Sequence, residues 1–171
     1  MTSSAGSVTR ILGTLRSEEG AGVVRIEDRL EFGVDEVWSA LTEPSRLAQW
    51  VGEVTGDLHQ GGEWKGSFTS GWEGAGRVDT CDSARLLELT MDLGEEDENY
   101  TRVTLEADGR GTVVVVDQWR LPLDYLAAFA AGLQVHVEDL ASHLRGGERC
   151  DTKARWDELI PGYKEQAEQL A

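Results

Sequence analysis

The order of elements around residues 34–50 constrains this chain more than any other feature. Behind one alternating strand, Val24 to Phe32, the stretch VDEVWSALTEPSRLAQW encodes two short helices in immediate succession. Val34, Val37, Trp38 and Leu41 recur at i, i+3, i+4 and i+7, and Pro44 is placed to open a second helix that turns Leu47, Trp50 and Val51 inward. Helices this short draw their stability from what they press against. A run of alternating strands follows, then one long helix. That order predicts an α+β fold in which a curved antiparallel sheet wraps around a long C-terminal helix, with two short helices after the first strand.

Strand patterns fall at Val54 to Leu58, Glu63 to Thr69, Gly76 to Thr80, Leu86 to Leu93, Tyr100 to Ala107 and Thr112 to Trp119, with Gly, Asp or Pro in nearly every gap. A further short strand, Ile11 to Leu15, precedes the turn signal Ser17-Glu18-Glu19-Gly20 and suggests an N-terminal hairpin. The acidic run Glu95-Glu96-Asp97-Glu98 suits a solvated hairpin tip. The long helix, Asp124 to Arg145, carries Leu126, Phe129, Ala130, Leu133, Val137, Leu140 and Leu144 as one stripe, and Gly146-Gly147 follows as a C-cap. Beyond it Trp156, Leu159, Ile160 and Tyr163 are expected to pack back on the domain, while Pro161-Gly162 is expected to break any continuous helix there.

The chain has 171 residues, the size of one domain that buries about 70% of its unfolded surface, so a single domain over 1–171 is expected. Within it, residues 1–8 read as a polar arm and 147–171 as a C-terminal extension. A net charge of −16 repels phosphate backbones and anionic headgroups, which disfavours nucleic acid and membrane surfaces as partners. Cys81 and Cys150 stand far apart without a CxxC spacing, so neither a disulfide framework nor a zinc cluster is indicated, and a reducing cytoplasm is expected. No apolar run is long enough for export or membrane spanning.

Taken together, the strand Val24 to Phe32, the segment Val37-Trp38-Ser39-Ala40-Leu41-Thr42-Glu43-Pro44 closing at Trp50, the turn Gly61-Gly62-Glu63, the stretch Gly74-Ala75-Gly76-Arg77-Val78, the strand Thr112 to Trp119 and the long helix resemble the helix-grip (SRPBCC) superfamily. That group includes the START lipid-transfer domains and the birch-pollen allergen. Within it the chain is similar to bacterial proteins resembling the C-terminal domain of the activator of the ninety-kilodalton heat-shock chaperone's ATPase. The resemblance spans residues 22–146 and implies an apolar cavity between the concave sheet face and the last helix. It thereby points to Trp64, Phe68, Trp119, Phe129, Leu133 and Val137 as cavity residues, with Trp38 and Trp50 of the gripping helices second. Trp72, in the loop Ser70-Gly71-Trp72-Glu73-Gly74, and His136, beside the helix stripe, join them at the rim. Trp156 lies outside the resemblance and reads as packing. Where bacterial relatives often carry a tryptophan after Gly132, this chain has Leu133, which implies a wider or differently shaped pocket if that tryptophan forms the pocket floor.

Six tryptophans against three phenylalanines and three tyrosines suit the wall of a pocket for a mostly apolar ligand with a polar end; they suit a plain core equally. His136 and His143 are i, i+7, about 10.5 Å apart along a helix, too far to meet around one metal. No nucleophile elbow, P-loop or dinucleotide fingerprint occurs; Glu73 and Arg77 fit a surface hairpin as well as a pocket mouth. No catalytic residue, metal or cofactor is therefore expected. The sequence favours a non-catalytic carrier of a small apolar ligand, monomeric or homodimeric. A co-chaperone that stimulates a heat-shock chaperone is the alternative, weakened because only the C-terminal-like domain is matched; a cyclase or hydrolase using the cavity is the third.

Overall fold

The computed structural model describes residues 10–170; the arm read at residues 1–8 lies outside them. β1 (Gly13–Glu18) and β2 (Ala21–Leu30) form the N-terminal hairpin. Its turn is Glu19-Gly20, with φ of +51° and +81°, the left-handed pair that matches the twist of the flanking strands. The chain then forms α1 (Val34–Thr42) and α2 (Pro44–Trp50), with Pro44 at the first turn of the second helix, where no N–H is missed. Six strands follow: β3 (Gly52–Gly56), β4 (Glu63–Phe68), β5 (Glu73–Asp82), β6 (Leu86–Met91), β7 (Asn99–Asp108) and β8 (Gly111–Leu121). A single tight turn, Leu123–Tyr125, leads into α3 (Leu126–Leu144), and α4 (Thr152–Glu168) ends the described chain.

The eight strands make one antiparallel, open sheet in the order β1-β2-β8-β7-β6-β5-β4-β3, curved around α3. This is the α+β helix-grip architecture. Period-two alternation sets its faces: along β7, Asn99, Thr101, Val103 and Leu105 are buried while Arg102 and Glu106 are exposed. The helix α3 ends as expected, with Gly146 at φ +80° and the N–H of Gly147 donating to the Ser142 carbonyl at 2.8 Å.

Two expectations need correction. The helix α3 is not amphipathic with one stripe, because Ala131, Gln134 and Val135 on its other side are also buried, against α4 and β1. The tail is likewise one helix running through Pro161, not a broken segment. A proline in a helix interior costs about 3 kcal/mol. Leu159 and Tyr163, on either side of it, are each 0% exposed, and at about 2 kcal/mol for each buried side chain they more than offset that cost. Pro161 itself faces solvent. Docking is completed by Arg155, which donates to both carboxylate oxygens of Glu138 at 2.7 and 2.8 Å.

Candidate functional site

Strands β4 and β5 carry a lane of glycines on their concave face. Trp64, Gly66 and Phe68 share that face of β4, and Gly74 and Gly76 lie opposite, with Gly66 paired to Gly74 and Trp64 to Gly76. Having no side chains, the glycines leave the floor to aromatic rings from neighbouring positions. Phe68 and Trp72 stand with ring centroids 4.7 Å apart, and Trp64 lies behind them, 6.3 Å from Phe68 and 5.8 Å from Trp72.

Between this floor, the concave faces of β6 to β8 and the helices α2 and α3 lies a cavity of about 840 Å³. Its walls are Leu87, Leu89 and Met91 of β6, Val103 of β7, Val114 and Val116 of β8, and Phe129, Leu133, Val137 and Leu140 of α3. Trp50 closes one side, its indole N–H fixed on the Ala40 carbonyl at 2.9 Å. The exposed residues of the lining, Ser70, Gly71, Asp151 and Lys153, mark where the cavity meets solvent.

Polar groups in the lining are few and placed. His136 Nε2 is 2.9 Å from Ser70 Oγ, its ring stands edge-on to Phe68 at 5.7 Å, and its Nδ1 is buried with no partner among the described residues. Burial without a compensating charge lowers its pKa to about 4, so the imidazole is neutral at physiological pH. Elsewhere in the lining, Asp92 accepts from the Trp72 indole N–H at 3.0 Å and from Asn99 Nδ2 at 2.9 Å. Gln118 Nε2 donates to Thr101 Oγ1 at 3.1 Å. Among the described residues no three His, Cys, Asp or Glu side chains converge to hold a metal.

Of the residues singled out from sequence, Trp50, Phe68, Trp72, Phe129, Leu133, His136 and Val137 line the cavity. Three do not. Trp64, 4% exposed, sits in a second layer behind Phe68 and Trp72. Trp38 packs on the rim of the core from α1, whose contribution to the lining is Leu41. Trp119 lies on the convex face, 5.6 Å from Tyr100 and under the Arg102 guanidinium at 5.0 Å. Strand parity is the reason: Val114, Val116 and Gln118 point inward, so Trp119 points out with Asp117. Glu73 and Arg77 are exposed, and Arg77 is held by Asp79 at 2.7 Å, away from the mouth.

Sequence reasoning missed Trp156 and the polar set. Trp156 reaches the lining from α4, its indole donating to the Ala128 carbonyl at 3.3 Å. Asn99, Thr101 and Gln118 had a legible signal, since they are polar residues at inward positions of otherwise apolar strands.

No curated protein matches the chain in sequence. Among solved structures, CalU16 from Micromonospora echinospora superposes with a TM-score of 0.74 at 22% identity, covering 91% of this chain and 95% of that one. EF2215 from Enterococcus faecalis, a protein of unknown function, gives 0.74 at 18% identity over 93% and 92%. DynU16, a protein of the dynemicin biosynthetic locus, gives 0.68 at 29% identity over 74% of this chain and 48% of that one. The first two likenesses establish the fold alone. A family model, described as Activator of Hsp90 ATPase homolog 1-like protein, matches residues 31–145. With more than half of its length so matched, the chain belongs to the Activator of Hsp90 ATPase homolog 1-like family.

Proposed function

We propose that this protein binds a small, mostly apolar molecule in the cavity between the sheet and α3, as a carrier or sequestering protein without covalent chemistry of its own. The observation that carries this reading is the cavity's size and lining. About 840 Å³ of space walled by aromatic and aliphatic side chains with a few placed polar groups suits a drug-sized ligand. The place of DynU16 in a biosynthetic locus agrees with a ligand from secondary biosynthesis. Native mass spectrometry of protein purified from its own host tests the reading. A co-purifying apolar compound supports it; ligand-free protein that instead captures a heat-shock chaperone and raises its ATPase rate favours the co-chaperone activity suggested by the family description.

One contact favours a second reading. Ser70 and His136, 2.9 Å apart in the lining, resemble a nucleophile with its base. Two features weigh against hydrolysis: among the described residues no carboxylate orients Nδ1, and an imidazole pKa near 4 makes a weak base. Ester hydrolysis that falls about 10²-fold or more in His136→Ala with binding retained would establish the enzyme.

A further inference from the structure

We propose that the cavity selects its ligand through a hydrogen-bond donor: it takes an aromatic-sized apolar molecule bearing a neutral hydroxyl or N–H at one end, and refuses carboxylates. The inference rests on the binder reading above and specifies what that site accepts.

The lining is graded along the strands. Inward positions of β7 run from Val103 through Thr101 to Asn99, and those of β8 from Val114 and Val116 to Gln118. Thr101 lies opposite Gln118 and Asn99 opposite Met91, beside Asp92, so the polar side chains gather at one end and the aliphatic ones at the other.

At Asn99 and Asp92 the direction of hydrogen bonding is fixed, whereas Thr101 and Gln118, joined to each other at 3.1 Å, keep a hydroxyl and an amide hydrogen. Asn99 is 6% exposed, and its Nδ2 donates to Asp92 Oδ2 at 2.9 Å and to the Asp97 carbonyl at 3.1 Å. Both amide hydrogens are therefore used, and a flipped amide would press Oδ1 against two acceptors. What Asn99 has left for the cavity is its carbonyl oxygen, which only accepts. Asp92 is itself clamped: its backbone takes the left-handed conformation at φ +53°, and its Oδ1 receives the Trp72 indole N–H at 3.0 Å. A carboxylate also only accepts. The Asn99–Asp92 side of the pole thus presents acceptors inside a largely apolar cavity, and a ligand lacking a donor leaves the Asn99 carbonyl oxygen without a partner.

An anionic ligand fares worse still. Among the described residues no arginine lines the cavity, and its lysine, Lys153, has a side chain 84% exposed and paired with Asp157 at 2.8 Å. A ligand carboxylate at the pole would meet Asp92 and the Asn99 oxygen with no cation to compensate.

The test is calorimetric titration of the full chain with naphthol, methoxynaphthalene, methylnaphthalene and naphthoate, each substituted at the same ring carbon. Naphthol is expected to bind about five-fold or more tightly than its methyl and methoxy analogues, the worth of one ordinary hydrogen bond, and naphthoate is expected to bind weakest. On naphthol binding, the side-chain amide resonances of Asn99 should shift, and methylnaphthalene should leave them in place. Asn99→Leu should bring naphthol down to the affinity of methylnaphthalene; if that variant does not fold, the wild-type series decides alone. Equal affinities across the four probes, or naphthoate binding tightest, would overturn donor selection while leaving the binder reading standing. Failure of all four to bind would overturn the binder reading and this inference with it.

Discussion

The indole of Trp64 occupies the space beside Gly76, its partner across the β4–β5 pair, where a side chain would otherwise stand. A Cβ at position 76 would fall well inside contact distance of the ring and 2.7 Å from the Thr90 carbonyl oxygen. Trp64 in turn backs Phe68 and Trp72, which form the cavity floor. Gly76→Ala should therefore lift the floor and cost about 1–3 kcal/mol, as overpacking of a filled core does. Thermal denaturation measures the cost, and a melting temperature equal to wild type would show that the ring yields freely.

Leu133 stands in the cavity wall midway along α3 and is only half-buried, so a larger side chain there has empty space to enter. Leu133→Trp should fill part of the cavity, lower the affinity of an apolar fluorescent dye about ten-fold, and leave stability unchanged or raised. Dye titration alongside a melting curve tests both halves; undiminished dye binding would place the dye elsewhere.

Burial holds His136 at a pKa of about 4 against its ordinary 6.5. The folded protein thus takes up this proton less readily than the unfolded chain. Stability is full above about pH 6.5 and declines as pH falls toward about 4, by up to about 3 kcal/mol. His143 is shifted in the same direction, also by burial first, so the contribution of His136 is read by difference. In urea denaturation between pH 7 and pH 4, His136→Gln should lose less stability than wild type; parallel curves would mean that His136 takes up its proton as readily in the folded as in the unfolded chain.

Tyr163 ties three elements together. Its hydroxyl accepts from the Gly13 N–H of β1 at 3.0 Å and donates to Gln134 Oε1 of α3, and the side chain is fully buried. Tyr163→Phe leaves a buried N–H without a partner and should cost about 1–3 kcal/mol. Hydrogen exchange should quicken at Gly13. Unchanged exchange and stability would show that water replaces the hydroxyl.

Much of the fold was legible because its elements advertise their periods locally. Val34, Val37 and Leu41 mark α1, Pro44 opens α2, Gly146 closes α3, and the strand runs alternate between turn residues. The candidate site was legible in part. Phe68, Phe129 and Val137 follow from the inward faces of β4 and α3, and the position of Trp119 follows from parity with Asp117 once strand alternation is allowed to overrule a general likeness. Gln134 and Trp156 were not legible. A glutamine inside a helix reads as a solvent residue until its partners, the Leu12 N–H and the Arg10 carbonyl, arrive from more than a hundred residues away.

Up to the end of α3 the sequence by itself determined which segments are helix and which are strand, and hence the order that folds into a sheet around a helix, because hydrophobic period and turn chemistry act between near neighbours. Only the tertiary structure decided that α4 runs through Pro161, that Trp64 stands behind the floor, and that Asp92 and Asn99 close one end of the cavity. Each of those outcomes depends on groups distant in sequence competing for the same buried space, where packing and the pairing of buried polar atoms outweigh local preference.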